Sequence, residues 1–370
     1  MAGARNLVAK LLPGLWPVLA PCLVLVAVWL LVQGGGVVLQ REATLALVYV
    51  VLVVGLYSFA GTSGILSFGH MSFMAIGAYV TALITIPVGL KSSLLPELPG
   101  FIADTELAPL VAALIAGGIA ALFGLILSIP LMRLSGIAAA LSMFAVLLVV
   151  HDVASNWTEV TRGRQTMLGV PTNTTLTAAL LWAIAMVVGV YLFQRSRFGL
   201  RLRAARDDPV VAQSCGIDVT MERRIAFVLS AFIVGLGGFL YAQFLGTFTP
   251  ESFFVSITFI TIAMLVVGGQ YSLGGAVVGA IVFSALSTGL LRLEQGAYFG
   301  PVYIDVGAGL HEVGLAIVLL AILILRPDGL MRGREFGWPP QVYQQARKLT
   351  ATLRRRGRGE ATVGPSDASM

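Results

Sequence analysis

Long apolar runs alternate with short polar segments along most of this chain. A helix needs about 20 apolar residues to cross roughly 30 Å of hydrocarbon, and about ten runs approach that length. They predict membrane spans at 15–33, 43–60, 71–88, 107–130, 136–154, 174–194, 225–247, 253–269, 274–291 and 309–326. The pattern therefore predicts an all-α fold, a polytopic transmembrane helical bundle.

The segment 195–224 interrupts this pattern because it is too polar to cross a membrane. Within it, residues 208–216 predict a short helix, with Asp208 as N-cap, Pro209 at the first helical position and Gly216 as the left-handed C′ residue. Such a stiff element in water is suited to meet a soluble partner. The bland alternative is an ordinary connector lying on lipid headgroups.

Composition supports a membrane protein. Hydrophobic residues make up 57% of the 370 and charged residues only 11%, against about 25% charged in soluble domains. Mean hydropathy is +0.91. The +6 net charge does not indicate nucleic-acid binding, because no basic helix carries interleaved aromatic residues.

Lysine and arginine favour cytoplasmic loops, and their distribution predicts both termini inside. We expect a cytoplasmic N-terminus at 1–14, a transmembrane domain at 15–330 with the cytoplasmic loop 195–224, and a polar tail at 331–370. The tail has too few apolar residues to fold alone. The basic residues assigned to the cytoplasm are Arg5, Lys10, Arg133, Arg195, Arg197, Arg201, Arg203, Arg206, Arg223, Arg224 and those of the tail.

The glycine-rich piece 61–70 predicts a broken or re-entrant helix, since irregular backbone at membrane depth needs protein or a cavity around it. Its pattern Gly64-x-x-Ser67-x-Gly69 returns as a second copy at 269–274. We count the copies five spans apart, which gives opposite orientations and suggests an inverted repeat. Chance in a chain with 42 glycines is the alternative.

Several stretches together resemble the ATP-binding-cassette importer permeases of the branched-chain amino acid type (LivM/LivH), and LivM more than LivH. The resemblance covers roughly residues 43 to 331. It is carried by RFGLRLRAARDDPVVAQSCGIDVTMERRIAFVLSAFIVGLGGFLYAQFLG (197–246), GILSFGHMSFMAIGAYVTALI (64–84), RLSGIAAAL (133–141), NWTEVTRGRQTMLGVP (156–171) and LVVGGQYSLGGAVVGA (265–280). Arg162, Arg164 and Gln165 depart from it, standing where a more glycine-rich stretch is expected, which leaves the substrate open.

The resemblance implies a subunit that moves branched-chain or other hydrophobic amino acids into the cytoplasm. Its partners are a second related permease, two cytoplasmic ATPases, an extracytoplasmic binding protein and the bilayer. The residues implied to couple to the ATPase are Arg206, Asp207, Asp208, Pro209, Ala212, Gly216 and Ile217. Those implied to contact the binding protein are Trp157, Thr161, Arg162 and Gly163.

Small residues let backbones approach closely and expose hydroxyls and carbonyls, so we expect the solute path to follow the two glycine-rich copies. The expected path residues are Gly64, Ser67, Gly69, His70, Ser72, Gly269, Ser272 and Gly274. Tight helix packing is the structural alternative for each of them, and for His70 in particular.

Catalysis is not expected, because the chain contains no G-x-x-x-x-G-K-[ST] phosphate loop. No cofactor or metal is expected either; ATP belongs to the partner ATPase. Urea, small amides and sugars remain alternative solutes. An ion-coupled secondary transporter is disfavoured by the lack of mid-span acids, and a membrane scaffold would leave the helix 208–216 without a purpose.

Overall fold

The computed structural model describes residues 2–294, 297–299, 302–304, 309–326, 328–331 and 335–336. Within these ranges the regular secondary structure is α-helical, apart from a 3-10 turn at Pro250–Phe253 and one small hairpin, β1 (Ala297–Phe299) with β2 (Val302–Ile304). The helices are α1 (Ala2–Gln33), α2 (Val37–Ser63), α3 (Met71–Thr85), α4 (Val88–Leu94), α5 (Gly100–Ala103), α6 (Pro109–Leu131), α7 (Gly136–Asn156), α8 (Thr158–Thr161), α9 (Leu176–Arg195), α10 (Arg197–Asp207), α11 (Pro209–Ser214), α12 (Val219–Leu245), α13 (Val255–Gly268), α14 (Leu273–Glu294) and α15 (Leu310–Leu325). The predicted all-α helical bundle is confirmed.

Eight helical segments in the described residues are long and apolar enough to cross a membrane. The other two predicted spans coincide with shorter helices. The third coincides with α3, which is followed by α4 after a bend of 116°, and the tenth coincides with α15. The total of ten spans therefore stays a prediction. At the N-terminus the helix reaches back to Ala2, well before the expected span boundary at residue 15.

The helices α2 and α12 form the centre of the bundle. In their apolar windows 83% and 72% of the residues are buried, against 22% in α7. Small residues allow this packing. A Cβ atom built on Gly77 of α3 would lie 2.1 Å from the Gly235 carbonyl oxygen of α12, and one on Gly238 would lie 2.1 Å from the Met74 carbonyl oxygen. The backbones of α3 and α12 are thus in direct contact.

The bundle has two distinct ends. We call the end that carries α10 and α11 the charged end. The opposite end, which carries residues 156–175 and 246–254, is the loop end. These two loop-end segments are joined by an antiparallel bridge in which the Met167 amide donates to the Phe248 carbonyl oxygen at 2.8 Å and the Phe248 amide donates back at 3.1 Å. The residues that the sequence predicts to be functional therefore lie at the charged end or at the loop end.

Candidate functional site

At the charged end, α11 has the caps that its sequence predicts. Oδ1 of Asp208 accepts hydrogen bonds from the amides of Val210 at 2.9 Å and Val211 at 3.0 Å. At the other end, Gly216 has φ +80° and the Ile217 amide donates to the Ala212 carbonyl oxygen at 3.1 Å. This is a Schellman motif. The predicted helix is confirmed, and both of its ends are closed by local hydrogen bonds.

One side of α11 packs against the rest of the chain, and the other side is exposed. Ala212 is 4% exposed and packs in a small cluster with Ala205 and Val219, with Ile217 beside it. The expected partner contact through the Ala212 side chain is therefore not available in this arrangement, because that methyl group faces the chain itself. Sequence reasoning missed the outward pair, Val210 and Val211, which are 70% and 57% exposed. The sequence signal that could have identified them is a pair of adjacent apolar residues in a polar loop.

Arg206 points into the bundle rather than away from it. Its Nη1 donates to the Gly61 carbonyl oxygen at 2.9 Å, and its guanidinium lies 4.9 Å from the centre of the Tyr271 ring. Its Nε and Nη2 also donate to Oδ1 of the neighbouring Asp207, whose own side chain is 71% exposed. Arg206 thus joins α10 to the end of α2 and to the break after α13, and its expected role in coupling stays a prediction.

The two glycine-rich copies meet at the charged end. Gly64 closes α2 with φ +76° and Gly269 closes α13 with φ +118°. A Cβ atom on Gly61 would lie 2.6 Å from the Gln270 carbonyl oxygen. Because α2 and α13 both end here, they run in the same direction, and the expected opposite orientation of the copies is wrong. The copies follow the second and the eighth predicted spans, which are six apart and not five.

The polar residues expected along the first copy are packed together. Ser67 and His70 are each 1% exposed and Ser72 is fully buried. Nδ1 of His70 lies 2.5 Å from the Ser67 hydroxyl, and the His70 ring stacks on Phe59 at 5.4 Å. Tight helix packing, the structural alternative for these residues, thus describes this conformation, in which Ser67, His70 and Ser72 bond to groups of the chain itself.

Gly69 shows why this segment is closed. A Cβ atom there would lie 2.2 Å from the Met143 carbonyl oxygen of α7. The neighbouring Ser72 hydroxyl donates to the Gly69 carbonyl oxygen at 2.7 Å. Among the described residues, Nε2 of His70 has no hydrogen-bond partner. The packing therefore leaves no open space here between the segment before α3 and α7.

The second copy is covered by a segment that follows α15. Oε1 of Glu335 accepts from the Leu273 amide at 2.8 Å, and Oε2 accepts from the Gly274 amide and the Ser272 hydroxyl, each at 3.2 Å. The carboxylate thus caps the start of α14, where negative charge is favoured. Glu335 falls in the predicted polar tail 331–370, and nothing in the sequence predicted this contact with α14. The remaining tail, 337–370, lies outside the described residues.

At the loop end, the residues expected to meet a binding protein divide into two groups. Trp157 is 50% exposed. Thr161 is buried and its hydroxyl bonds to the Ala154 and Trp157 carbonyl oxygens at 2.7 and 2.6 Å. Arg162 has φ +63°, rare for a residue with a side chain, and Gly163 follows with φ +61°. Thr161 and this turn hold the loop, while Trp157 is presented.

Lys91 on α4 is a buried cation that the sequence analysis did not single out. It is 1% exposed. Its Nζ donates to the Ile102 carbonyl oxygen at 3.1 Å and also to that of Thr105. A buried ammonium must be paired or fully hydrogen-bonded, and here main-chain oxygens supply the bonds. Lys91 therefore fastens the segment after α5 to α4 at the loop end.

No group of three or more His, Cys, Asp and Glu side chains among the described residues is arranged to hold a metal ion. Cys22 and Cys215 are both free thiols. The charged end brings together a capped surface helix, an inward-pointing arginine and two helix ends in contact.

Residues 39–325 match the family described as "Branched-chain amino acid transport system / permease component". This chain belongs to that family. The match spans every helix from α3 to α15 and nearly all of α2. The predicted resemblance to permeases of the LivM/LivH type is therefore confirmed.

Individual permeases of this kind are similar over most of the chain. LivM of Escherichia coli, a high-affinity branched-chain amino acid transport system permease protein, is 27% identical over 85% of this chain and 74% of that protein. LivH of Salmonella typhimurium is 25% identical over 78% of this chain and 92% of that protein. No solved structure is significantly similar to the chain. This branched-chain amino acid permease component is a multi-pass membrane protein.

Proposed function

We propose that this chain is the membrane-spanning permease subunit of an ATP-binding-cassette importer for branched-chain or other hydrophobic amino acids. The observation that carries the proposal is the family match over residues 39–325, joined to a capped helix with exposed valines at the charged end. The chain itself is not an enzyme and needs no cofactor; the energy comes from ATP bound by partner subunits. The substrate class rests on the names of its relatives.

The complex contains a second related permease, two cytoplasmic ATPases and an extracytoplasmic binding protein. The charged end faces the cytoplasm, as do both termini, because the Lys/Arg clusters lie there. The loop end faces the binding protein, with Trp157 at the contact and the Thr161–Gly163 turn holding it in place. Nucleic acid plays no part.

The ATPase contacts the presented side of α11. Val210 and Val211 insert into the partner, while Asp208, Pro209, Gly216 and Ile217 keep the helix rigid and Asp207 lies at its edge. A rigid helix transmits a push without bending. Arg206 then transmits the displacement of α10 to the breaks after α2 and α13. The glycine-rich copies lie next to these breaks and line the solute path when the bundle opens.

Transport by the assembled complex in proteoliposomes tests this function. Val210→Gln with Val211→Gln removes the apolar contact while leaving both caps intact. We expect ATP-driven leucine uptake to fall at least about tenfold, since losing two apolar anchors costs more than about 1.4 kcal/mol. The matched control is Met221→Gln, 50% exposed at the start of α12, which leaves uptake within about twofold.

Three outcomes contradict parts of the proposal. Uptake that continues without ATPase subunits refutes the importer class and favours a secondary transporter. Uptake of urea or a sugar in place of leucine refutes the substrate class alone. Normal uptake by the valine double variant refutes the role of α11 while leaving the other two statements standing.

A further inference from the structure

A cleft of about 390 Å³ opens at the charged end between α1, α9 and α10. Two arginines, Arg195 and Arg203, line it together with apolar walls from Pro17 and Leu200. The coupling role of α11 does not use this cleft. The lining of the cleft thus combines cationic and apolar side chains.

Both arginines are held in place by the chain. The Arg195 guanidinium lies 5.2 Å from the centre of the Tyr191 ring. Nη2 of Arg203 donates to the Gln194 carbonyl oxygen at 2.7 Å. The Gln194 side chain, in a residue only 6% exposed, donates in turn to the Tyr57 hydroxyl at 2.5 Å. Each guanidinium has five N–H donors, so both retain donors for an anionic ligand.

The acid in the cleft lining is Glu335, and its carboxylate is already engaged. It accepts from the Leu273 and Gly274 amides and the Ser272 hydroxyl at the start of α14. Two guanidinium groups therefore outweigh one carboxylate that is turned toward a helix terminus. The cleft favours an anion.

An exposed apolar surface lies beside the cleft on α9. Val188 and Leu192 are both exposed, and their spacing of four residues places them on one helix face. Arg195 follows Leu192 by three residues and therefore lies on the same face. This face supplies a surface for hydrocarbon chains, whereas a small inorganic anion would leave Pro17 and Leu200 exposed to water.

We propose that this cleft binds the headgroup of an anionic phospholipid, with the phosphate between Arg195 and Arg203 and the acyl chains along the exposed face of α9. Basic pockets between membrane helices on the cytoplasmic side suit such headgroups. The site would tie α1 and α9 to the membrane interface next to α10.

Native mass spectrometry of the full chain, titrated with phosphatidylglycerol or phosphatidylcholine, measures the binding. Arg195→Gln with Arg203→Gln is expected to weaken phosphatidylglycerol binding about thirtyfold, since each basic residue contributes about 1 kcal/mol. Arg195→Lys with Arg203→Lys keeps the charge and stays within about fivefold. The matched control, Arg133→Gln with Arg197→Gln, removes equal charge at the charged end outside the cleft and stays within about threefold.

A monodisperse peak in size-exclusion chromatography establishes that the glutamine variant is folded. If the glutamine variant is not folded, the lysine variant is used to report on the site. Equal losses in the cleft and control variants overturn the proposal, as does phosphatidylcholine binding as tight as that of phosphatidylglycerol. Glycerol phosphate or inorganic phosphate competing at concentrations similar to the lipid also overturns it, because the site would then recognise a free anion.

Discussion

Arg206 makes two contacts across the charged end that can be removed separately. The first is the hydrogen bond from Nη1 to the Gly61 carbonyl oxygen at 2.9 Å, and bonds from charged donors contribute about 1.5–3 kcal/mol. The second is the position of the guanidinium 4.9 Å from the Tyr271 ring, which contributes about 0.5–1 kcal/mol where the cation is partly exposed. Arg206→Gln should therefore lower the free energy of unfolding by about 2–4 kcal/mol.

A double-mutant cycle separates the ring contact from the rest. Arg206→Gln, Tyr271→Leu and the double variant are compared by unfolding the purified chain in denaturing detergent. We expect a coupling energy of about 0.5–1 kcal/mol between the two positions, because neither variant alone retains the cation–π pair. Additive effects within about 0.3 kcal/mol would refute the contact as an energetic link.

The same variant tests transmission in the assembled complex. Because α11 keeps its caps and exposed valines, the ATPase subunits should still copurify with Arg206→Gln. Uptake per ATP hydrolysed should fall at least about tenfold, since a loss of about 2 kcal/mol in the link exceeds the 1.4 kcal/mol that a factor of ten represents. The control is Arg197→Gln, whose guanidinium lies over its own neighbour Phe198. Unchanged uptake per ATP in Arg206→Gln would refute transmission through this residue.

Three further predictions concern the ends of helices and the topology. Gly216→Val should destabilise α11 by about 1–2 kcal/mol. The cause is backbone strain alone, because nothing lies within 4 Å of the added Cβ, and faster amide exchange in α11 measures the effect. Glu335→Ala should cost about 1 kcal/mol by uncapping α14, read as faster exchange of the first α14 amides. Reporter fusions at Thr105 and Asn173 should lie outside and one at Asp218 inside.

Controls for these three measurements come from the same chain. Gly34→Val adds a side chain into open space at a glycine without positive φ, so equal destabilisation there would remove the strain argument. Glu159→Ala removes an exposed acid elsewhere, and an equal rise in α14 exchange would contradict the capping role. An outside signal at Asp218 would contradict the orientation and the ATPase contact together.

The local features of this fold follow from sequence because their causes are local. Asp208, Pro209 and Gly216 each act on residues within a few positions, so the caps of α11 are predictable. The apolar runs are equally direct, since a bilayer imposes their length. The span count is less secure: α3 has only 15 residues and α15 only 16, and composition alone does not separate such helices from full spans.

The contacts at the charged end depend on residues far apart in the chain, and sequence does not reveal them. Arg206 and Gly61 are separated by 145 positions. A charged residue in a polar loop is expected to face water, yet a carbonyl oxygen freed at a helix end and an aromatic ring attract it inward. Glu335 behaves in the same way, because the unsatisfied amides of α14 lie within its reach.

The contact between the backbones of α3 and α12 limits how this bundle can move. Gly77 against Gly235, and Gly238 against Met74, leave no layer of side chains between the two helices. Sliding one past the other would drive carbonyl oxygens into neighbouring residues that have side chains, so shear is blocked along this seam. The two helices should travel as one rigid body. We therefore expect the bundle to open by rotation of that body against neighbouring helices such as α7 and by hinge motion at the breaks after α2 and α13.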